Sequence, residues 1–337
     1  SRTATITYTL ANGTNNGLAT NYSLSPTTGH TATISPANLV LTGTKVYDGA
    51  TSVAGLNLTD TGLNGNSFAI TGVGDASNLA SRFVQQNSPL TSVTGLAIGA
   101  SSNGGISSNY QLSVLSSSVS VTPKPITISG FGIASKVYDG NTTATFSGTV
   151  SLATLETNDV VSYTSATGTF ADRHVGTKQV VVSGVVLAGA DKDNYTVNTV
   201  SGNANATISQ LASATWVGTG AGIWSDASNW AVTGALGQTG VLPDGGNVGV
   251  AVLPSTFAGT LTSSYAHAHE GKIQINGGTL AVASDAHLGA VPGAAVADKI
   301  TLNGGTLQAT DTFTLNTQRG ITLGSSGGTF SVDASKS

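Results

Sequence analysis

The sequence predicts an all-β chain: tandem small antiparallel β-sandwich-like repeat domains followed by a β-solenoid (β-helix) segment. Gly supplies 44 of 337 residues, close to twice the ordinary share of roughly 7%. Charged residues make up only 8%, about a third of normal usage, and Glu occurs only at Glu156 and Glu270. Between the glycines, Val, Ile, Leu and Thr alternate in short runs bounded by Asn, Asp and Ser, the pattern of strands joined by tight turns. Scarce Glu, Lys and Arg, with Met absent, argue against helices.

The same numbers exclude several function classes. With no Cys, a disulfide framework and a thiolate metal site are ruled out. Twelve basic against sixteen acidic residues give a net charge of −4, and no Lys/Arg cluster forms a phosphate-binding stripe, so nucleic acid is not an expected partner. No apolar run approaches the roughly 18 residues of a spanning helix, so no membrane insertion is expected of this segment. Ser1 is not an initiator Met and no signal peptide opens the sequence; the chain reads as a processed product or an excised segment.

Internal periods organise the chain. Lys45-Val46-Tyr47-Asp48-Gly49 returns as Lys136-Val137-Tyr138-Asp139-Gly140. Asn21-Tyr22, Asn109-Tyr110 and Asn194-Tyr195 mark a second point in the unit. A closing phrase follows each: Ala32-Thr33-Ile34-Ser35-Pro36, Val119-Ser120-Val121-Thr122-Pro123, and Ala206-Thr207-Ile208-Ser209-Gln210. Residues 1–37 are read as the C-terminal part of one unit, 38–124 as a divergent copy and 125–210 as the better copy. Strands are expected over 178–183, 185–187 and 194–197, with Gly184 and Gly189 as breaks. In each Tyr-Asp-Gly, Asp accepts local backbone N–H groups, Gly supplies a positive φ, and the Tyr ring packs on the core.

These copies resemble the YDG repeat domains of large Gram-negative secreted adhesins of the filamentous-haemagglutinin-like group. The resemblance rests on Lys136 to Ala144, Val175-Gly176-Thr177-Lys178, Leu187 to Tyr195 and Ala206-Thr207-Ile208. It implies a stalk or spacer at the bacterial surface and supplies no catalytic residues.

After Gln210 the composition changes. Trp216, Trp224 and Trp230 fall within fifteen residues. Asn276-Gly277-Gly278-Thr279-Leu280 is then echoed by Asn303-Gly304-Gly305-Thr306-Leu307 and by Ser326-Gly327-Gly328-Thr329-Phe330. A corner and short strand at this spacing read as rungs of a coil. Leu280, Leu307 and Phe330 point inward, and Ile273, Ile275, Ile300, Leu302, Ile321 and Leu323 stack beside them. Residues 211–337 resemble autotransporter-associated β-strand repeats with their Trp-rich lead-in. The three Trp either plug the first rung or offer a sugar-stacking platform.

Candidate chemistry is sparse. His267 and His269 share one face of a strand, with Glu270 adjacent and His287 or Asp285 as further ligands for Zn or Cu. Asp191 and Asp193 are candidate Ca²⁺ ligands, and no cofactor is expected beyond these candidate ions. Asp172-Arg173-His174 is a compact charged triplet expected on a turn. No nucleophile elbow or phosphate loop is present, and no enzyme activity is expected. Three function classes follow: a non-catalytic stalk of a secreted adhesin, serving cell attachment or biofilm cohesion; an extracellular fibre subunit joined by strand addition between chains; and a carbohydrate-binding module using the Trp cluster. The expected partners are neighbouring copies or a continuation of the same protein, and surface or matrix polysaccharide.

Overall fold

A computed structural model describes residues 8–15, 17–24, 34–200 and 205–336. Residues 32–33 of the first closing phrase, and both terminal serines, lie outside them. The described residues are all-β: 29 strands and seven short 3-10 turns, with no α-helix. No helix among them is long and apolar enough to cross a membrane.

The chain divides into two compact units, between which residues 125–210 are shared. The first runs to Ile126 and takes in Leu155–Val161 and Gly189–Thr196; the second comprises Thr127–Thr154, Ser162–Ala188 and the chain from Val197 onward. Two loops of the second copy thus belong to the unit built from the first.

The first unit contains β1 (Ala37–Val46), β2 (Leu58–Thr61), β3 (Phe68–Thr71), β4 (Gln85–Pro89), β5 (Ala97–Ser101), β6 (Tyr110–Leu112) and β7 (Ser118–Thr122). Its main sheet has the order β2-β1-β7-β4, with β6 pairing the start of β1. Here the structure departs from the antiparallel expectation. β1 pairs β7 in parallel, from Thr42 opposite Ser118 to Val46 opposite Thr122, and β6 is also parallel to β1. Nearly the whole repeat separates β1 from β7, a crossover long enough to bring the last strand back in the same direction. Alternation on β1 buries Leu39, Leu41 and Lys45, and on β7 Val119 and Val121, a period of two with one face inward. Buried Asn78 ties three segments together. Its Oδ1 accepts from Val53 N (3.0 Å) and Asp75 N (2.8 Å), while its Nδ2 donates to the carbonyls of Ser92 and Thr94. All its hydrogen-bonding capacity is used, as burial requires.

β8 (Lys124–Ser129) leads into the second unit, where β9 (Gly132–Ile133), β10 (Lys136–Val137), β11 (Thr143–Ala144), β12 (Phe146–Ser147), β13 (Ser151–Ala153), β14 (Ser162–Phe170) and β15 (Gly176–Ala188) follow. β16 (Tyr195–Val200) and β17 (Asn205–Ser209) complete the copy. One sheet has the order β10-β17-β15-β14-β11. β10 and β17 are parallel, the arrangement of β1 and β7. The break expected at Gly184 is a kink inside one 13-residue strand: Gly184 takes φ +61°, and the β14–β15 ladder shifts register between Ser165 and Thr167. Glycine absorbs the irregularity without ending the strand.

The remainder is built on β18 (Leu211–Trp216), β19 (Gly222–Ile223), β20 (Trp230–Val232), β21 (Ala235–Thr239), β22 (Val248–Leu253), β23 (Thr260–Ser263), β24 (Lys272–Ile275), β25 (Thr279–Val282), β26 (Val296–Leu302), β27 (Thr306–Ala309), β28 (Arg319–Leu323) and β29 (Thr329–Val332). Two parallel ladders run through it, β18-β22-β24-β26-β28 and β19-β23-β25-β27-β29. Register puts like on like. Ile273, Ile300 and Ile321 share one column; Leu261, Leu280, Leu307 and Phe330 share another; and Thr260, Thr279, Thr306 and Thr329 a third. A Gly corner joins the ladders. At Gly278 (φ +58°) a Cβ would lie 2.4 Å from the Phe257 ring, so no other residue fits.

Two inward expectations fail. Phe330 is 56% and Leu323 58% exposed, because β28 and β29 are the outermost strands of their ladders. The other stacked residues are buried, Ile321 partly, in one apolar core that also holds Tyr138, Phe170, Val180 and the three Trp.

Candidate functional site

The Tyr-Asp-Gly turns are the features whose geometry recurs most closely. Tyr47 N donates to Thr122 O and Tyr138 N to Ser209 O, both at 2.8 Å. Each turn therefore extends the parallel pairing between the first and last strands of its copy. Asp48 Oδ1 accepts from Ala50 N (3.0 Å) and Asp139 Oδ1 from Asn141 N (3.1 Å); Gly49 and Gly140 follow at φ +74° and +79°. This is an Asx turn closed by a left-handed glycine.

Lysine also has a role, one the sequence reading missed. Lys45 Nζ binds Asp48 Oδ1 (2.7 Å) and the carbonyls of Ala50 and Ser52. Lys136 Nζ binds Asp139 Oδ1 (2.8 Å) and the carbonyls of Asn141 and Thr143. An ammonium enclosed by its own turn satisfies three acceptors at once. The signal was there: in so weakly charged a chain, both copies place Lys three residues before Asp.

Both Tyr rings are 1% exposed, and each is received by residues that follow its own copy. Tyr47 OH donates to Asp159 Oδ2 (2.7 Å), and Tyr195 OH donates to the same oxygen (2.6 Å). The two rings meet edge-on at 5.5 Å. Arg82 Nη2 pairs with Asp159 Oδ1 at 2.8 Å, and Glu156 N donates to Tyr195 OH at 2.8 Å. Asn194 Oδ1 accepts from Val84 N (3.0 Å), and Lys124 pairs with Glu156. Burial raises the Asp159 pKa, but the two hydroxyls and Arg82 outweigh it and hold the carboxyl below its usual range. Burial and the Asp159 carboxylate push the Tyr195 phenol up to about 12 and Tyr47 further still.

Tyr138 is held differently. Its hydroxyl reaches Leu242 O at 3.4 Å, and a Cβ on Gly140 would lie 2.2 Å from Gly240 O. Backbone replaces the carboxylate.

The metal and glycan candidates have other occupations. Asp191 Oδ2 accepts from Val160 N (2.9 Å), and its Oδ1 faces Arg82 Nη2 at 3.5 Å. Asp191 is thus partnered by Val160 N and Arg82, and Asp193 pairs with Lys192. The His pair lies on a loop, not on the strand expected. His267 stacks on Trp224 (4.7 Å, 15°) and bonds His287 O through Nε2, while His269 Nε2 bonds Lys272 O. Burial lowers both pKa values to about 4. Asp285 is taken by Arg319 (2.9 Å) and Asn316 N. No group of three potential metal ligands is gathered among the described residues.

Trp216, Trp224 and Trp230 are at most 1% exposed. Trp224 and Trp230 pack at 4.8 Å and Trp216 and Trp230 at 5.4 Å. Trp224 Nε1 donates to Pro243 O and Trp230 Nε1 to Trp224 O. The rings are packed against one another and their neighbours, and Trp216 also lines a cavity of about 340 Å³ with Leu236 and Phe257. Asp172-Arg173-His174 forms the expected turn: Asp172 accepts from His174 N (2.8 Å) and pairs with Lys178 (3.0 Å).

No curated protein and no solved structure matches the chain. A family model, that of the YDG domain, matches residues 122–204, the stretch that holds the second Tyr-Asp-Gly turn together with Asp159, Asn194 and Tyr195.

Proposed function

We propose that the chain is a non-catalytic structural stretch of a secreted bacterial surface or matrix adhesin. In this reading 38–124 and 125–210 are tandem modules, and 211–337 is a β-solenoid that continues the row. One observation carries the proposal: the Tyr47 hydroxyl of one copy is bonded to Asp159 of the next, so successive modules are fastened through buried side chains. Parallel ladders that stack like residues suit a load-bearing element, because backbone bonds and aliphatic columns repeat at every step. Pulling the chain by its two ends in an optical trap should give discrete unfolding steps, with Asp159→Ala lowering the force of one of them. A featureless low-force extension overturns the proposal, as does turnover of a polysaccharide by the purified chain.

A second reading, a fibre subunit joined by strand addition, draws on the exposed Leu323, Phe330 and Val332 of β28 and β29. Polymers at neutral pH that disappear in a Phe330→Lys/Val332→Lys variant would favour it, and a concentration-independent monomer removes it.

A further inference from the structure

The first copy carries loops placed like the receiving loops of the second, and among the described residues no Tyr-Asp-Gly turn occupies them. Asp159 N bonds Glu156 O at 3.2 Å, and Asn66 N bonds Leu63 O at 3.2 Å. Tyr195 OH meets Asp159 and Glu156 N; Tyr110 OH meets Asn66 Nδ2 (2.8 Å) and Leu63 O (3.2 Å). Each Tyr follows an Asn and a 3-10 turn, and Pro36-Ala37 stands where Pro123-Lys124 stands in the next copy. Leu63, Asn66, Asn109 and Tyr110 thus correspond one by one to Glu156, Asp159, Asn194 and Tyr195.

Around the second set sits the Tyr47-Asp48-Gly49 turn, with a Cβ on Gly49 only 3.4 Å from Glu156 Cβ. Around the first set is a cavity of about 650 Å³ lined by Ile34 to Ala37, Leu63, Asn64, Asn66 and Ser108 to Tyr110, within the roughly 300–1,000 Å³ of pockets that take a compact ligand. Leu63 is 62% and Ile34 65% exposed at its rim.

We propose that the cavity between Pro36, Asn66 and Tyr110 is a socket for the Tyr-Asp-Gly turn of another repeat, placed ahead of this one in a row. The Tyr hydroxyl enters beside Asn66 and Tyr110 as Tyr47 enters beside Asp159 and Tyr195. The turns of the chain itself are unavailable, since Tyr47 and Tyr138 are already buried. The inference rests on the tandem-module reading and adds to it a direction: each copy presents its turn to the copy that follows. Asn66 accepts a phenol through its amide oxygen without a buried charge, so this socket holds its turn more weakly than Asp159 holds Tyr47.

The test is an extended chain in which residues 38–123 are duplicated in place of residues 1–36, ahead of Ala37. Nitration of Tyr110 by tetranitromethane, read by peptide mass spectrometry, is compared with the 337-residue chain. Docking worth about 1.4 kcal/mol corresponds to tenfold in occupancy, so nitration of Tyr110 falls about tenfold. It returns when the Tyr47 counterpart in the added copy is changed to Ala, and it falls further with Asn66→Asp. Equal nitration in both chains, with the added copy folded by circular dichroism, overturns the socket while leaving the stalk reading intact. If the extended chain does not fold, a cyclised peptide of residues 44–52 is titrated into the 337-residue Asn66→Asp chain. Protection of Tyr110 supports the proposal, and none at millimolar peptide overturns it. Loss of discrete steps in the trap, with Tyr110 protected, would instead remove the stalk reading alone.

Discussion

The hydroxyls of Tyr47 and Tyr195 converge on one oxygen, Asp159 Oδ2, at 2.7 and 2.6 Å. Two phenols sharing one carboxylate oxygen, with Arg82 on the other, make Asp159 the centre of the first unit's polar core. Asp159→Ala leaves two buried hydroxyls and a guanidinium without their partner and costs about 3 kcal/mol. Tyr47→Phe removes one bond and costs about 1 kcal/mol. The double variant costs less than the sum, because both act through one group. Hydrogen exchange at the Tyr47 and Val53 amides measures each loss.

Acid weakens the second unit through its buried imidazoles. His267 and His269 are held near pKa 4 against a reference of 6.5, so between these values the unfolded chain binds more protons than the folded one. Stability therefore falls as pH drops from about 6.5 to about 4 and levels off below, by up to roughly 3 kcal/mol per ring. All three Trp belong to this unit, so Trp fluorescence in urea at stepped pH follows it alone. A variant lacking both rings should show a flatter slope. Asp159, whose pKa is lowered, contributes stability to the first unit above the ordinary carboxylate range, and this is lost as pH falls through its depressed value.

Alanine should separate the two turn glycines. Both Gly49 and Gly140 have positive φ, which costs an L-residue about 1 kcal/mol. A Cβ at Gly49 meets ordinary contacts at 3.4 Å, whereas one at Gly140 meets Gly240 O at 2.2 Å. Gly140→Ala therefore loses at least 2 kcal/mol and Gly49→Ala about 1 kcal/mol. Denaturant midpoints of the two variants check the order.

Arg319 is 3% exposed and binds Asp285 together with the carbonyls of Leu288, Gly289 and Ala290. Lysine offers no planar fork to reach them all. Arg319→Lys costs about 2 kcal/mol and Arg319→Met more, since Asp285 is then left without its cation. Thermal unfolding read by Trp emission shows both.

Much of this was legible in the sequence, and the rest was hidden for physical reasons. Alternation announced the strands, and Gly-Gly-Thr spacing announced the columns of Leu280 and Leu307. Strand direction was not legible between β1 and β7, because a period of two is the same in parallel and antiparallel ladders. The Trp cluster was visible, but whether its faces are wet depends on Pro243, Phe257 and His267, which come from later in the chain. Asp159 gave no signal at all. A lone Asp in a polar loop becomes a keystone only when Tyr47, 112 residues earlier, folds onto it.

That Leu155–Val161 and Gly189–Thr196 belong to the first compact unit constrains how such a chain can be shortened or lengthened. Excising 122–204 as a cassette removes Asp159 and Tyr195 from Tyr47, and Tyr138 from Leu242. Both wounds fall in buried structure. An edit is tolerated only when the new neighbours supply a matching hydroxyl and acceptor, so a change at Asp159 is answerable to Tyr47. Cutting such a chain without loss therefore means cutting outside the contacts that Tyr47 and Tyr138 make.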